Sequence, residues 1–347
     1  MVEQITLDSP RTLRVREVNL PEVPGEAVVQ VAYAGICASD LDRVYGAGPY
    51  QYPLVLGHEI SGTVTEVVGD PGSSLVNKNC VVVPLIPCDV CASCERNSPW
   101  LCLNYAYLGS RRDGGFSKFI SVPVSAIRPI GHNLDLQTAV LAEPLAVSFH
   151  AVAKRQPIVG KSVAVIGTGT LANMIAWICG QMGARRSTLI SRSPQKTSFL
   201  KTQIPGLGGQ KPGTKYRVVG SLAANSTEVV FEAADGASGL LKAIEIASPG
   251  GTIVMVGNAS SDLILPQQLH SAILRKELTL VGSWNSDFAT PPNDDWASSI
   301  KALEEHTDFF SRLVSNVFEW KSYQEAFALC SDRNTPSLKV AMNFRAD

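Results

Sequence analysis

The chain has 347 residues, 45% of them apolar, and a formal net charge of −1. That length suggests two domains with ample material for two cores, and the balanced charge argues against nucleic acid or an anionic membrane as a partner. The opening, MVEQITLDSPRTLRVREV, is charged and polar with no secretory apolar stretch, and eight cysteines, four of them clustered, point to a reducing compartment, the cytoplasm.

In chain order, the first half reads as β-structure. Ala27–Tyr33, Gly62–Val68 and Asn79–Pro84 carry β-branched residues between Gly and Pro punctuation. Cys88, Cys91, Cys94 and Cys102 follow at spacing C-x2-C-x2-C-x7-C in PCDVCASCERNSPWLC. Four thiolates this close can surround one tetrahedral zinc at about 2.3 Å each. Disulfides would need very tight C-x-x-C loops and leave the regular spacing unexplained. A closed four-thiolate site has no open position, so this metal is expected to hold a loop together.

After a helical stretch near Leu141–Lys154, apolar strands alternate with helical segments. The strands are Ser162–Ile166, Ser187–Ile190, Arg217–Val219, Glu228–Ala233, Thr252–Val256 and Leu278–Val281. That rhythm predicts a doubly wound parallel sheet, an α/β fold. The stretch from Gln203 to Lys215, rich in Gly and Pro, reads as a loop. The chain then returns to helix, with a final strand near Ser337–Phe344. No charge occurs from Ser162 to Ala184, a length that would permit a membrane span. Its β-type start and glycine break instead predict a strand, a turn and a buried helix.

Gly167-Thr168-Gly169-Thr170-Leu171-Ala172 fits G-x-G-x-x-A between a strand and a helix. The first glycine permits the tight turn, the second lets backbone approach a pyrophosphate, and Ala172 is small enough for helix–strand packing. The N–H groups of Thr170 and Leu171 open the helix where phosphates bind. Dinucleotide-binding units usually end the next strand with an acid that bonds the ribose 2′-hydroxyl. Here it runs into Ser191-Arg192-Ser193-Pro194 with Lys196 beyond. Ser191 can donate to a 2′-phosphate, while Arg192 can pair with its charge and stack on adenine, so NADP(H) is expected over NAD(H). A solvated loop that merely lacks an acid is the other reading.

Cys37, His58 with Glu59, and Glu143 are scattered metal-ligating types, each weak alone. In their order along the chain, GICASD, LGHEISG, the cysteine lobe, DGGF, AEPLAVSFHA and the nucleotide fingerprint resemble the zinc-dependent medium-chain alcohol and polyol dehydrogenases over essentially the full length. The resemblance implies a β-rich, GroES-like catalytic domain over 1–148, with a structural zinc lobe at 84–104. It implies a Rossmann domain over 149–286, a return to the catalytic domain over 287–347, and an active site in the cleft between the domains. It makes Cys37, His58 and Glu143 catalytic zinc ligands, with Glu59 able to enter or leave the shell, and Cys88, Cys91, Cys94 and Cys102 ligands of a second zinc. Ser39 matches the proton-relay hydroxyl, whereas the histidine that ends that relay in alcohol dehydrogenases is Asp42 here. Further cofactor contacts are expected at Ala233, Val256, Gly257, Ser283 and Trp284. Relatives are usually dimers or tetramers.

Within the family, GSRRDGGF, and LRKEL through GSW, look like the galactitol-1-phosphate 5-dehydrogenases. Those relatives generally carry Asp where this chain has Ser191-Arg192, which separates the cofactor expectation from the substrate expectation. Arg43, Arg111 and Arg112 are candidate partners for a substrate phosphate, since guanidinium forks suit its oxygens. Arg111 and Arg112 could equally brace the lobe or face solvent. The expected function is hydride transfer between NADP(H) and a secondary alcohol or ketone of a polyol or sugar phosphate. The rival substrates are an unphosphorylated polyol, a diol or a sugar acid. A catalytically idle NADPH-binding sensor is the rival of another class.

Overall fold

Small and β-branched residues dominate EAVVQVAYAGI, and strand Glu26–Ile36 is correspondingly buried along most of its length, with Gln30 exposed. The computed structural model describes residues 1–204, 215–234, 237–259, 262–289 and 294–345. They divide into two units, Met1–Glu143 with Asp287–Asp347, and Pro144–Ser286.

In the first unit, Glu26–Ile36 anchors a seven-stranded sheet. Glu59–Val67 lies antiparallel on one side and Lys339–Asn343 on the other, so strands from early and late in the chain share one sheet. Asn79–Val82 and Ile127–Pro129 extend it beyond Glu59–Val67, and Val314–Glu319 beyond Lys339–Asn343. A separate sheet joins the hairpin Val2–Ser9 and Thr12–Val18 to Leu54–Val55. Composition did not single out that hairpin, because its second strand is mostly exposed and carries Arg and Glu on its pleat.

In the second unit six parallel strands stand in the order Lys215–Val219, Arg186–Ile190, Ser162–Ile166, Thr227–Glu232, Ala247–Met255, Thr279–Gly282. Numbered along the chain this is 3-2-1-4-5-6, the Rossmann order, whose switch point lies beside the first strand. The six strands read from the sequence are these six, with ends shifted. The uncharged run divides into strand Ser162–Ile166 and helix Thr170–Gln181. Among the described residues no helix is long and apolar enough to cross a membrane. The predicted loop between Gln203 and Lys215 lies mostly outside the described residues.

Candidate active site

Strand register builds the reactive cluster. Gly35 lies opposite Glu59, and Ile36 opposite Val340, so Cys37, His58, Glu59 and Lys339 emerge at one end of three adjacent strands. Cys37 leads into helix Ala38–Tyr45, where Asp40 Oδ2 accepts its backbone N–H at 3.0 Å. The DGGF segment braces the approach to His58. Gly114 and Phe116 donate to the carbonyls of Val55 and Leu56 at 2.8 and 3.0 Å, and Asp113 Oδ1 accepts from Val55 N at 2.9 Å.

One donor atom from each of Cys37, His58 and Glu59 lies within 4.8 Å of the others. A Cβ at position 35 would collide with Glu59 Oε2, so the carboxylate rests on bare glycine backbone. Glu59 Oε1 pairs with Lys339 Nζ at 2.5 Å, and Lys339 also donates to Ile36 O at 3.2 Å. Glu59 Oε2 is buried without a hydrogen-bond partner. A thiol, an imidazole and an orphaned carboxylate oxygen in one pocket fit a zinc ion with an exchangeable position. Glu143 is not in this set of three. It is buried nearby, and its Oε1 accepts from the Tyr107 hydroxyl at 3.2 Å. Sequence reasoning missed Tyr107 and Lys339.

Charge compensation is mutual. Burial alone would push the His58 imidazolium down, but the Asp40 carboxylate and Cys37 outweigh it and hold its pKa well above the ordinary value. Asp40 is lowered for the matching reason: burial opposes, and His58 and then Arg43 prevail. Asp40 Oδ1 lies 3.6 Å from His58 Nδ1 and 3.7 Å from Arg43 Nη1, charge contacts that orient the imidazole. Burial, with the Glu59 charge, outweighs His58 and raises Glu143 to about 7. Burial would depress Lys339, yet Glu59 and Cys37 carry it up to about 12.

The second cluster is the four-cysteine lobe. Sulfur separations are 3.6 Å for Cys91–Cys94, 3.8 Å for Cys91–Cys102 and 3.4 Å for Cys88–Cys102. A tetrahedron with metal–sulfur bonds of about 2.3 Å has edges of about 3.8 Å, whereas a disulfide needs about 2.05 Å. The lobe fits a closed zinc site. The N–H groups of Cys94 and Leu103 hold the Cys91 thiol down to about 6, while burial and then Cys91 itself push Cys94 up to about 12.

In the second unit the fingerprint turn is built for a phosphate. Gly167 has φ +124°, and a Cβ there would meet Ala233 O at 2.6 Å. A Cβ on Gly169 would meet nothing within 4 Å, which leaves open space at the start of helix Thr170–Gln181. Asn173, unmarked by the sequence reading, ties the turn by donating to the carbonyls of Thr168 and Gly169. Ala233, Val256, Gly257, Ser283 and Trp284 all follow the carboxyl ends of strands, where nucleotides bind. Beyond Arg186–Ile190, a cavity of about 380 Å³ is lined by Ser191, Arg192, Pro194, Thr197, Ser198, Lys201 and Gly220. Lys201, rather than the expected Lys196, supplies its second cation. Ser191 Oγ is engaged with Ser193, donating to its carbonyl at 2.9 Å.

Two of the three candidate phosphate arginines are committed elsewhere. Arg112 pairs with Glu26 at 2.6 Å and donates to Ser121 O at 2.9 Å. Arg111 lies between the rings of Tyr50 and Tyr105, 4.7 and 4.2 Å from their centroids, and donates to Tyr105 O. Of the roles the sequence left open for these two arginines, their contacts favour bracing. Arg43 differs: its side chain is 16% exposed, and its Nη1 is buried without a hydrogen-bond partner. Ser39 is half-buried in the first turn after Cys37, and Asp42 is exposed on the same helix.

Residues 23–132 match the model of the alcohol dehydrogenase GroES-like domain, and residues 136–344 that of the glucose dehydrogenase C-terminus. Galactitol 1-phosphate 5-dehydrogenase of Escherichia coli K12 is 30% identical over 332 residues, 94% of this chain and 95% of that protein. The crystal structure of the E. coli galactitol-1-phosphate dehydrogenase superposes with a TM-score of 0.87 at 28% identity, covering 98% and 99% of the two chains. Two further solved structures carry different cofactors. A zinc-binding dehydrogenase of Sinorhizobium meliloti 1021 is bound to NADP (TM-score 0.85, 24% identity, 99% of each chain). The alcohol dehydrogenase rspB of E. coli CFT073 is complexed with NADH (TM-score 0.83, 25% identity, 99% of each chain).

Proposed function

The chain belongs to the zinc-type medium-chain alcohol and polyol dehydrogenases, and we propose that it interconverts a secondary alcohol and a ketone on a phosphorylated polyol or sugar, using NADP(H). It is a zinc-type, NAD(P)-dependent alcohol or polyol dehydrogenase, which removes the sensor reading. The observation that carries the chemistry is the convergence of Cys37, His58 and Glu59 within 4.8 Å.

A zinc held by Cys37, His58 and Glu59 would supply Lewis acidity toward a substrate oxygen, and a bound nicotinamide cofactor would supply the hydride chemistry. The protein's own groups do the rest. Asp40 holds His58 in orientation, and Lys339 balances the charge of Glu59. Ser39 Oγ, as a relay hydroxyl, would take the alcohol proton on oxidation while passing its own hydroxyl proton on to solvent, and would run in reverse on reduction; Asp42 is exposed on the same helix.

Arg43 supports an anionic substrate. Its Nη1 has the Asp40 charge at 3.7 Å but no hydrogen bond, and a buried guanidinium nitrogen so placed is costly unless a ligand satisfies it. Comparing galactitol 1-phosphate, galactitol and a sugar acid on wild type and Arg43→Met tests this. The variant should lose about 1.5–3 kcal/mol of kcat/KM, roughly ten- to a hundredfold, on anionic substrates only. Equal effects on charged and uncharged polyols would end the anion role.

For the cofactor, Arg192 and Lys201 bring two cations and no acid to a cavity wall where NAD-specific units place a carboxylate. Arg192→Asp should weaken NADPH by roughly 1–3 kcal/mol and spare NADH. An unchanged ratio of the two kcat/KM values would assign the preference elsewhere.

A further inference from the structure

We propose that Tyr107 is a positioning residue that holds Glu143 in reserve beside the Cys37, His58 and Glu59 donor set, and so governs which carboxylate completes it. The proposal rests on the reading that this set binds zinc. Two buried carboxylates stand at the cluster, and each has one oxygen tied by a different group: Glu59 Oε1 by Lys339, and Glu143 Oε1 by the Tyr107 hydroxyl at 3.2 Å. Of the two, only Glu59 joins Cys37 and His58 in mutual reach. The Tyr107 ring also lies against His58, with centroids 5.6 Å apart and planes tilted by 56°. One side chain therefore touches both an imidazole donor and the alternative carboxylate.

The backbone explains how Tyr107 is held in register. It ends strand Ala106–Tyr107, which pairs with Leu85–Ile86, and the residue opposite it is Leu85. The four cysteines lie between these two short strands. The lobe is thus a loop whose two feet are clamped together, and one foot carries Tyr107. Its neighbour Tyr105, which meets Tyr107 edge-on at 6.3 Å, is fixed by Arg111. This gives the closed cysteine site a consequence for the reactive one: it fixes the strand from which the hydroxyl reaches Glu143.

Tyr107→Phe removes the hydroxyl and leaves the ring on His58. Freed, Glu143 can compete for the metal, so one of the two zinc ions should leave to a chelator about tenfold more slowly, the scale of outer-shell changes at metal sites. The d–d absorption of the cobalt-substituted protein should shift as well. In a Glu143→Gln background the same substitution should change neither quantity. Release kinetics and spectra that match wild type, or an effect that persists in Glu143→Gln, would overturn the proposal. A wild-type protein that binds one metal ion per chain would instead sink the underlying zinc reading, and the two failures are told apart by that count.

Discussion

The Cys91→Ser protein should bind one zinc ion per chain instead of two and lose the fold of the cysteine lobe while the nucleotide unit stays intact. The lobe has almost nothing else to hold it. Its helix Ala92–Glu95 has four residues and buries none, and its 3-10 turn Pro99–Leu101 buries only Pro99. Val90 and Leu103 form no core there, being 76% and 78% exposed. Sulfur atoms 3.4–3.8 Å apart without a cation among them would repel as thiolates or lose solvation as thiols. Structural zinc in small domains contributes about 10–16 kcal/mol of apparent binding free energy, and that energy is folding energy. Metal analysis and limited proteolysis check the outcome together: cleavage should appear between residues 87 and 104. Retention of both ions with an unchanged cleavage pattern would refute the staple.

What the sequence disclosed, and what it hid, follows the range of the interactions. The cysteine lobe was legible because its donors sit within one short stretch, where spacing alone constrains geometry. The nucleotide unit was legible because strand, turn and helix alternate locally, and each strand is apolar enough to read as buried. The reactive cluster needed resemblance, since Cys37, His58 and Lys339 meet only through strand register. Glu59 shows the limit well. Adjacent residues in a strand face opposite ways, which would separate it from His58. But strand Glu59–Val67 begins at Glu59, so His58 lies outside the pleat and both side chains reach one pocket. The roles of Arg111 and Arg112 stayed open between phosphate partner and brace because Tyr50 and Glu26, which they meet, come from distant segments that no local pattern announces.

Lys339→Met should destabilise the zinc-stripped first unit by about 3–5 kcal/mol, the cost of leaving one member of a buried ion pair alone. Both partners are buried, Glu59 Oε2 already lacks a hydrogen bond, and Lys339 gives the Oε1 atom a counter-charge at 2.5 Å. With zinc bound the loss should be smaller, because a second cation then neutralises the same carboxylate. The pair of measurements separates charge balance from simple packing: methionine fills most of the lysine volume, so a packing defect would cost the same with or without metal. Adding Glu59→Gln should recover most of the loss, since a neutral amide needs no counter-ion. The pH dependence has a definite sign. Lys339 is raised from 10.5 to about 12, so its contribution is complete below about 10 and is lost only as pH rises through 12. Urea midpoints at pH 7 for wild type, Lys339→Met and the double variant, each with and without chelator, decide the matter. Equal losses in both metal states, or a double variant no more stable than Lys339→Met alone, would show that Lys339 is a filler in the sheet rather than the counter-charge of Glu59.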